Sequence, residues 1–188
     1  MTLKRFFDIS LALFLLGLTG IPMLFIALAI KLTVPESVLY WSDRAGSNNK
    51  IFKMAKFRTM KLNTPPVATH LLKDPDIFLT RIGRFLRKTS LDELPQLFNV
   101  LKKDMSFVGP RPALFNQNDL IELRTKRNVH TLIPGITGWA QINGRDELPI
   151  PVKVKLDEHY LKNKSLLLDL KILLLTILKV IKKEGIQH

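Results

Sequence analysis

The sequence predicts an α+β fold, mainly helical with short β elements, in which an N-terminal re-entrant membrane helix–break–helix precedes one compact domain. Three observations carry this expectation. Residues 9–30 form 22 consecutive uncharged residues, ISLALFLLGLTGIPMLFIALAI, with Pro22 inside the run. Beyond them, helical signals dominate, and strand-like runs are confined to residues 38–41 (VLYW) and 50–57 (KIFKMAKF) around the turn Gly46-Ser47-Asn48-Asn49. Finally, 188 residues suffice for one hydrophobic core, and no repeat or low-complexity linker divides the chain after residue 32.

A straight helix over the apolar run would reach roughly 33 Å, enough to cross a bilayer. Pro22 removes a helix hydrogen bond, and Gly17, Thr19 and Gly20 just before it ease a bend. The two arms, 9–21 and 22–30, would reach only about 20 Å and 13 Å, so neither spans alone. Lys4 and Arg5 precede the run and Lys31 follows it. The positive-inside tendency places both flanks on the cytoplasmic side, which a hairpin satisfies. A proline-kinked single span fits the same residues. A cleaved signal peptide fits less well, because no A-x-A-like site follows. The expected division is 1–32 as the re-entrant membrane segment and 33–188 as one domain that includes interfacial helices.

Within the larger part, residues 61–76 carry two consecutive prolines and read as an exposed loop. Residues 78–88 (FLTRIGRFLRK) form an amphipathic helix with Arg81, Arg84, Arg87 and Lys88 away from its apolar face. Further helices are expected near 91–103, 116–127 and 152–162, and a glycine-rich loop at 132–143. Residues 165–183 form a strongly apolar helix on which Ser165, Asp169, Thr176 and Lys183 share one stripe. Such a helix suits a membrane interface, and it suits packing in a core equally well.

Composition narrows the setting. Lys and Arg number 29 against 16 Asp and Glu, a formal charge of +13, yet 46% of the residues are hydrophobic. Nucleic-acid binders of such charge tend to be polar throughout; basic and apolar together suit an anionic membrane surface. The chain has no cysteine, which excludes disulfides, thiolate metal sites and cysteine nucleophiles. The four histidines show no metal-ligand spacing.

The chemistry-bearing residues concentrate in 87–112, RKTSLDELPQLFNVLKKDMSFVGPRP. Ser90 and Glu93 have the spacing of a helix capping box, while Pro95 favours a helix start near Asp92. On either reading Asp92 lies at a helix N-terminus, where a carboxylate stays ionised and a phosphate is attracted. Adjacent carboxylates beside Arg87 and Lys88 could hold a divalent cation through oxygen, and an ionised Asp can attack phosphorus. Arg111 lies between Pro110 and Pro112, which limit its backbone, and its guanidinium fork matches a phosphate. A structural turn with a solvent-facing arginine is the plainer alternative.

These residues resemble the small monotopic phosphoglycosyl transferases of the bacterial sugar transferase family. The likeness runs through KRFFD near the start, KFRTM at 56–60, SLDELPQLFNVLKKDMSFVGPRP at 90–112, PGITGWAQINGR at 134–145 and DEHYLKNKSLLLDLKI at 157–172. The resemblance implies transfer of a sugar-1-phosphate from a UDP-sugar to polyprenol (undecaprenyl) phosphate, with release of UMP, through a covalent phosphoglycosyl-aspartate. It implies Asp92 as nucleophile and Mg2+ ligand, Glu93 as its catalytic partner, and Arg111 as a clamp on substrate phosphate. Lys56, Arg87, Asp157 and Asp169 become candidates for supporting or substrate-binding roles. The implied setting is the cytoplasmic face of the bacterial inner membrane, with the phospholipid bilayer, UDP-sugar and polyprenol phosphate as partners, no nucleic acid, and room for a homodimer. A re-entrant helix broken at proline belongs to the same pattern.

Two positions depart from it. A small residue commonly precedes the membrane proline, where this chain has Ile21, and the usual glycine before Asp104-Met105-Ser106 is Lys103. A non-catalytic membrane adaptor would explain the charge and the apolar head, but not Asp92-Glu93-Leu94 beside Gly109-Pro110-Arg111-Pro112. A polytopic transferase would need more apolar spans than this chain supplies.

Overall fold

The computed structural model describes residues 2–34, 37–62, 64, 74–144 and 148–181. The chain is mainly helical with short strands, as its periodicities predict. Helix α1 covers Leu3–Thr33 and is capped by Thr2, whose hydroxyl accepts from the Arg5 N–H. Strands β1 (Leu39–Ala45) and β2 (Ile51–Phe57) form the expected hairpin. Helix α2 (Arg81–Thr89) is followed by a 3-10 turn, Leu91–Glu93, and by α3 (Gln96–Lys102). Then come β3 (Ser106–Val108), β4 (Ala113–Leu114), α4 (Asn118–Lys126), β5 (Gly135–Thr137), α5 (Trp139–Ile142), α6 (Ile150–Asn163) and α7 (Leu166–Ile181). One antiparallel sheet has the order β2-β1-β4, and β3 pairs with β5 in parallel.

Several expectations are corrected by this arrangement. Helix α1 runs through Pro22 without a gap. A proline deletes a single N–H donor, and an apolar helix accommodates that loss. Beside it, Thr19 donates its hydroxyl back to the Leu15 carbonyl at 2.7 Å. The helix expected over 91–103 is divided, and its α-helical part begins only at Gln96, after Pro95. Residues 132–143 are not a loop throughout, since they contain β5 and α5. The proline-rich stretch 61–76 and Arg145 fall largely outside the described residues, as does Lys183.

The main core gathers Met54, Leu97, Val100, Met105, Phe107, Val108, Ile142, Tyr160 and Ile172 around Ala12 of α1. A second cluster joins Ile30 and Val34 at the far end of α1 to Phe57 and Leu86. Both ends of α1 therefore lie against the same body. Between them Leu13, Phe14, Leu18, Ile21, Leu24, Phe25 and Leu28 are each more than half exposed.

The start of α1 is fastened by polar groups. Arg5 donates to the carbonyls of Val100 and Leu101 at 2.6 and 2.8 Å, capping the last turn of α3 with a cation. Asp8, buried, accepts from the Ser106 hydroxyl and the Phe107 N–H. Lys4 reaches the Val108 carbonyl and, at 2.6 Å, Asp169 of α7. Tyr160 donates to the other Asp169 oxygen at 2.6 Å, and burial together with that carboxylate pushes its pKa up. The stripe expected on α7 thus faces the body: Asp169 meets Lys4 and Tyr160, and Thr176 meets the hydroxyl of Thr137. Leu167, Leu170, Leu174 and Leu178 face outward, Leu167 being 79% exposed, while Leu168, Leu173 and Leu175 pack against the main core.

Helix α3 is registered on β2 by Asn99, which donates to the Lys53 carbonyl and accepts from the Ala55 N–H. Helix α3 ends on Lys103 in the left-handed region at φ 71°, where the Asp104 and Met105 N–H groups close on the Asn99 carbonyl. A side chain there costs energy that glycine does not incur. Lys103→Gly is expected to stabilise the fold by about 1 kcal/mol, raising Tm by roughly 2–4 °C in a thermal melt. An unchanged or lowered Tm would contradict the strain assigned to this cap.

Candidate active site

The turn between α2 and α3 carries Asp92 and Glu93, and its position follows from packing on either side. Gly83 lets α2 lie directly on the backbone of Thr59, since a Cβ there would collide with it. Asn99 holds α3 on the edge of β2. The connecting turn is thereby brought against Lys56, near the C-terminal end of β2.

The capping-box reading of Ser90 and Glu93 does not hold. Ser90 adopts a left-handed conformation (φ 57°), its side chain makes no cap, and the Glu93 carboxylate turns elsewhere. Glu93 Oε1 accepts from Lys56 Nζ at 2.6 Å and lies 3.5 Å from Arg111 Nη2. Asp92 Oδ2 lies 3.9 Å from the same Lys56 ammonium. Lys56, the adjacent Asp92 and Glu93, and Arg111, from three separate stretches of the chain, therefore form one cluster. Arg87 lies beside it, donating from Nε to the Thr59 hydroxyl at 3.1 Å and feeling the charges of both carboxylates.

The two acids differ electrostatically. Burial would push Glu93 up, but the charges and hydrogen bonds of Lys56 and Arg111 outweigh it and hold the carboxyl at about 2. Asp92, only 6% exposed, is shifted the other way: burial raises it, the neighbouring Glu93 adds to the rise, and Lys56 and Arg87 oppose without cancelling. Burial also lowers the Arg87 guanidinium, against the pull of Asp92 and Glu93. Asp92 is thus an under-compensated carboxylate beside a fully compensated one.

That imbalance is what an added cation would relieve. Among the described residues no group of three or more acidic or histidine side chains forms a protein cage for a metal. Magnesium, however, is commonly held by one or two carboxylates with substrate phosphates and water completing the shell. The donor set at Asp92 fits that mode.

Arg111 is presented by a loop with few conformational options. Gly109 and Gly135 approach so closely that a Cβ on either would strike the other's backbone. The Gly109 N–H donates to Thr137, and the Gly135 N–H donates to Pro110. Asp157, in contrast, is buried in α6 and paired with Arg124 of α4 at 2.7 Å; burial raises its carboxyl against the opposing guanidinium. Asp169 is buried in the fastening of α1. Both have protein groups as their described partners, and neither reaches the Asp92 cluster directly. Lys4, Asp8, Tyr160 and Arg124 are polar residues that sequence reasoning had not assigned. Lys4, Asp8 and Tyr160 lie in the segments KRFFD and DEHYLKNKSLLLDLKI, whereas Arg124 lies outside every such segment and has only a local sign: it follows buried Leu120 by four residues, on the inward face of α4.

A family model described as bacterial sugar transferase matches residues 1–183. The chain is 47% identical over 190 residues to an uncharacterised sugar transferase, EpsL, of Bacillus subtilis (strain 168), covering 100% of this chain and 92% of that protein. It is 44% identical over 188 residues to the UDP-glucose:undecaprenyl-phosphate glucose-1-phosphate transferase of Escherichia coli (strain K12), covering 94% of this chain but 40% of that one. With a UDP-N-acetylgalactosamine-undecaprenyl-phosphate N-acetylgalactosaminephosphotransferase of Aeromonas hydrophila the identity is 38%, over 97% of this chain and 44% of the relative. The central segment and the paired carboxylates that the structure joins to Lys56 and Arg111 lie inside every one of these spans, and the chain belongs to the bacterial sugar transferase family.

Proposed function

We propose that this protein transfers a sugar-1-phosphate from a UDP-sugar to undecaprenyl phosphate at a membrane surface, releasing UMP. The observation that carries the reading is the cluster itself: one buried, under-compensated carboxylate, Asp92, set beside an acid–base pair, Glu93 and Lys56, with Arg111 and Arg87 at its rim. Cations around a reacting phosphate stabilise the charge that develops there. Undecaprenyl-phosphate sugar phosphotransferases among its relatives support the reaction class.

In this reading Arg111 binds the diphosphate and turns its β-phosphorus toward Asp92. An Asp92 oxygen attacks that phosphorus, forming an acyl–phosphate bond, and the bond to the UMP oxygen breaks with its electron pair leaving on UMP. Glu93, kept ionised by Lys56, orients that ammonium toward the phosphoryl oxygens. A phosphate oxygen of undecaprenyl phosphate then attacks the same phosphorus, which frees the Asp92 carboxylate and yields the lipid diphosphate sugar. Mg2+, held by Asp92 and substrate oxygens, would supply charge neutralisation at the phosphates.

The membrane setting has its own support. Helix α1 meets the criteria for a bilayer-crossing helix by length and hydropathy, yet both its ends rest on the one body. A re-entrant path in which α1 bends at Pro22 while staying helical satisfies both facts, with the exposed middle of α1 and the outward leucines of α7 in lipid. The catalytic domain then faces the cytoplasm, where UDP-sugars are found.

Asp92→Asn is expected to lower the rate of UMP release at least about a thousandfold with the fold retained. Wild type given UDP-glucose or UDP-N-acetylgalactosamine without acceptor gains one sugar-phosphate mass, and Asp92→Asn gains none; substantial turnover by the variant would exclude the covalent route. Chelation with EDTA should abolish UMP release and Mg2+ restore it, whereas full activity after chelation rules out the metal assignment. Because the chain lacks cysteine, single cysteines at Thr2 and Leu32 can report topology in inner-membrane vesicles. The re-entrant path requires that an impermeant thiol reagent label both from the cytoplasmic side only. Labelling from opposite sides would establish a single span.

A further inference from the structure

We propose that Arg124, held in place by Asp157, is a positioning residue that sets the direction of Arg111. The inference rests on the reading of Arg111 as the substrate-phosphate clamp. Arg111 lies between two prolines, which fix the torsions on either side and deprive the loop of two N–H donors. Pro112 also confines Arg111 to extended conformations. Beside the Gly109 N–H, which donates to Thr137, the loop is held through three consecutive carbonyls, taken by three different elements. The Pro110 carbonyl accepts from the Gly135 N–H of β5 at 2.9 Å. The Arg111 carbonyl accepts from Arg124 Nη1 of α4 at 2.8 Å. The Pro112 carbonyl accepts from Arg44 Nη1 of β1 at 3.2 Å.

The middle contact is the one that governs Arg111. Its carbonyl direction reports the remaining soft torsion of Arg111, and that torsion decides how the side chain leaves the backbone toward Glu93. Arg124 is only 7% exposed and uses both ends of its fork. Nε and Nη2 donate to Asp157 Oδ2 at 3.0 and 2.7 Å, while Nη1 is left for the carbonyl. An ion pair buried this deeply gives little net stability over an apolar pair of similar volume. Joining α4 to α6 thus does not by itself require it. Asp157 supplies the rigidity: it fixes the guanidinium plane, and the third donor is then aimed.

The test separates positioning from mere support. The double variant Arg124→Met/Asp157→Leu removes the donor while keeping the helix–helix contact apolar, and Arg124→Lys retains the buried charge but not the fork. Both are assayed as full-length protein in lipid nanodiscs for UMP release from UDP-glucose and UDP-N-acetylgalactosamine with undecaprenyl phosphate. The expected result is a loss of about tenfold or more in kcat/KM, with Tm of at least one variant within about 3 °C of wild type. In an Arg111→Ala background the same substitutions should cost less than about twofold more, because both act through one contact. Losses that multiply in that background, or wild-type kcat/KM in a folded variant, overturn the positioning role alone. An undiminished rate in Arg111→Ala overturns the clamp reading itself, and with it this inference.

Discussion

The three residues of β3 are held from every side by groups that no short peptide could bring together. Ser106 and Phe107 satisfy Asp8, the Val108 carbonyl takes Lys4, and Asp169 draws Lys4 and Tyr160 into one cluster. Buried polar groups are stable only when each has its partner, so α1, α6 and α7 are committed to one arrangement around this strand. The strand continues directly into Gly109 and Pro110, and thence to Arg111. The helix that supports membrane association and the arginine that faces Glu93 are thus coupled through a single short segment of backbone.

This coupling gives the apolar segment a second role. A lipid anchor alone requires hydrophobicity and length, and Leu3–Thr33 has both. Lys4, Arg5 and Asp8 do something different: they cap α3, close β3 and meet α7. The first turns of α1 are therefore part of the domain, while its middle presents leucines and phenylalanines outward. In the proposed reaction on a lipid-borne phosphate, the depth of the site would be set by the same helix that is proposed to enter the lipid.

Asp92 and Glu93 show how adjacent, chemically similar groups acquire different tasks. Lys56 and Arg111 converge on Glu93, which stays ionised, whereas Asp92 is desolvated with the Lys56 ammonium no closer than 3.9 Å. The distinction arises from the direction each side chain leaves a single 3-10 turn. It is invisible in the dipeptide itself, and a capping box would have had Glu93 turn back on Ser90.

Composition and order along the chain determined a good deal. The apolar run, the positive flanks, the hairpin around residues 46–49, the helices near 81–89, 118–126, 150–163 and 166–181, and the cluster of acid and base between 87 and 112 all follow from periodicity, charge and turn chemistry acting locally. Tertiary structure alone decided that α1 passes Pro22 unbroken, that 135–137 becomes a strand, and that Asp169 faces Lys4. It likewise brought Arg124 from one helix and Asp157 from another beneath the backbone of Arg111. The physical reason is range: propensity and periodicity act over a few residues, whereas pairing across 33 or 165 positions is decided only when burial forces each polar group to find a partner.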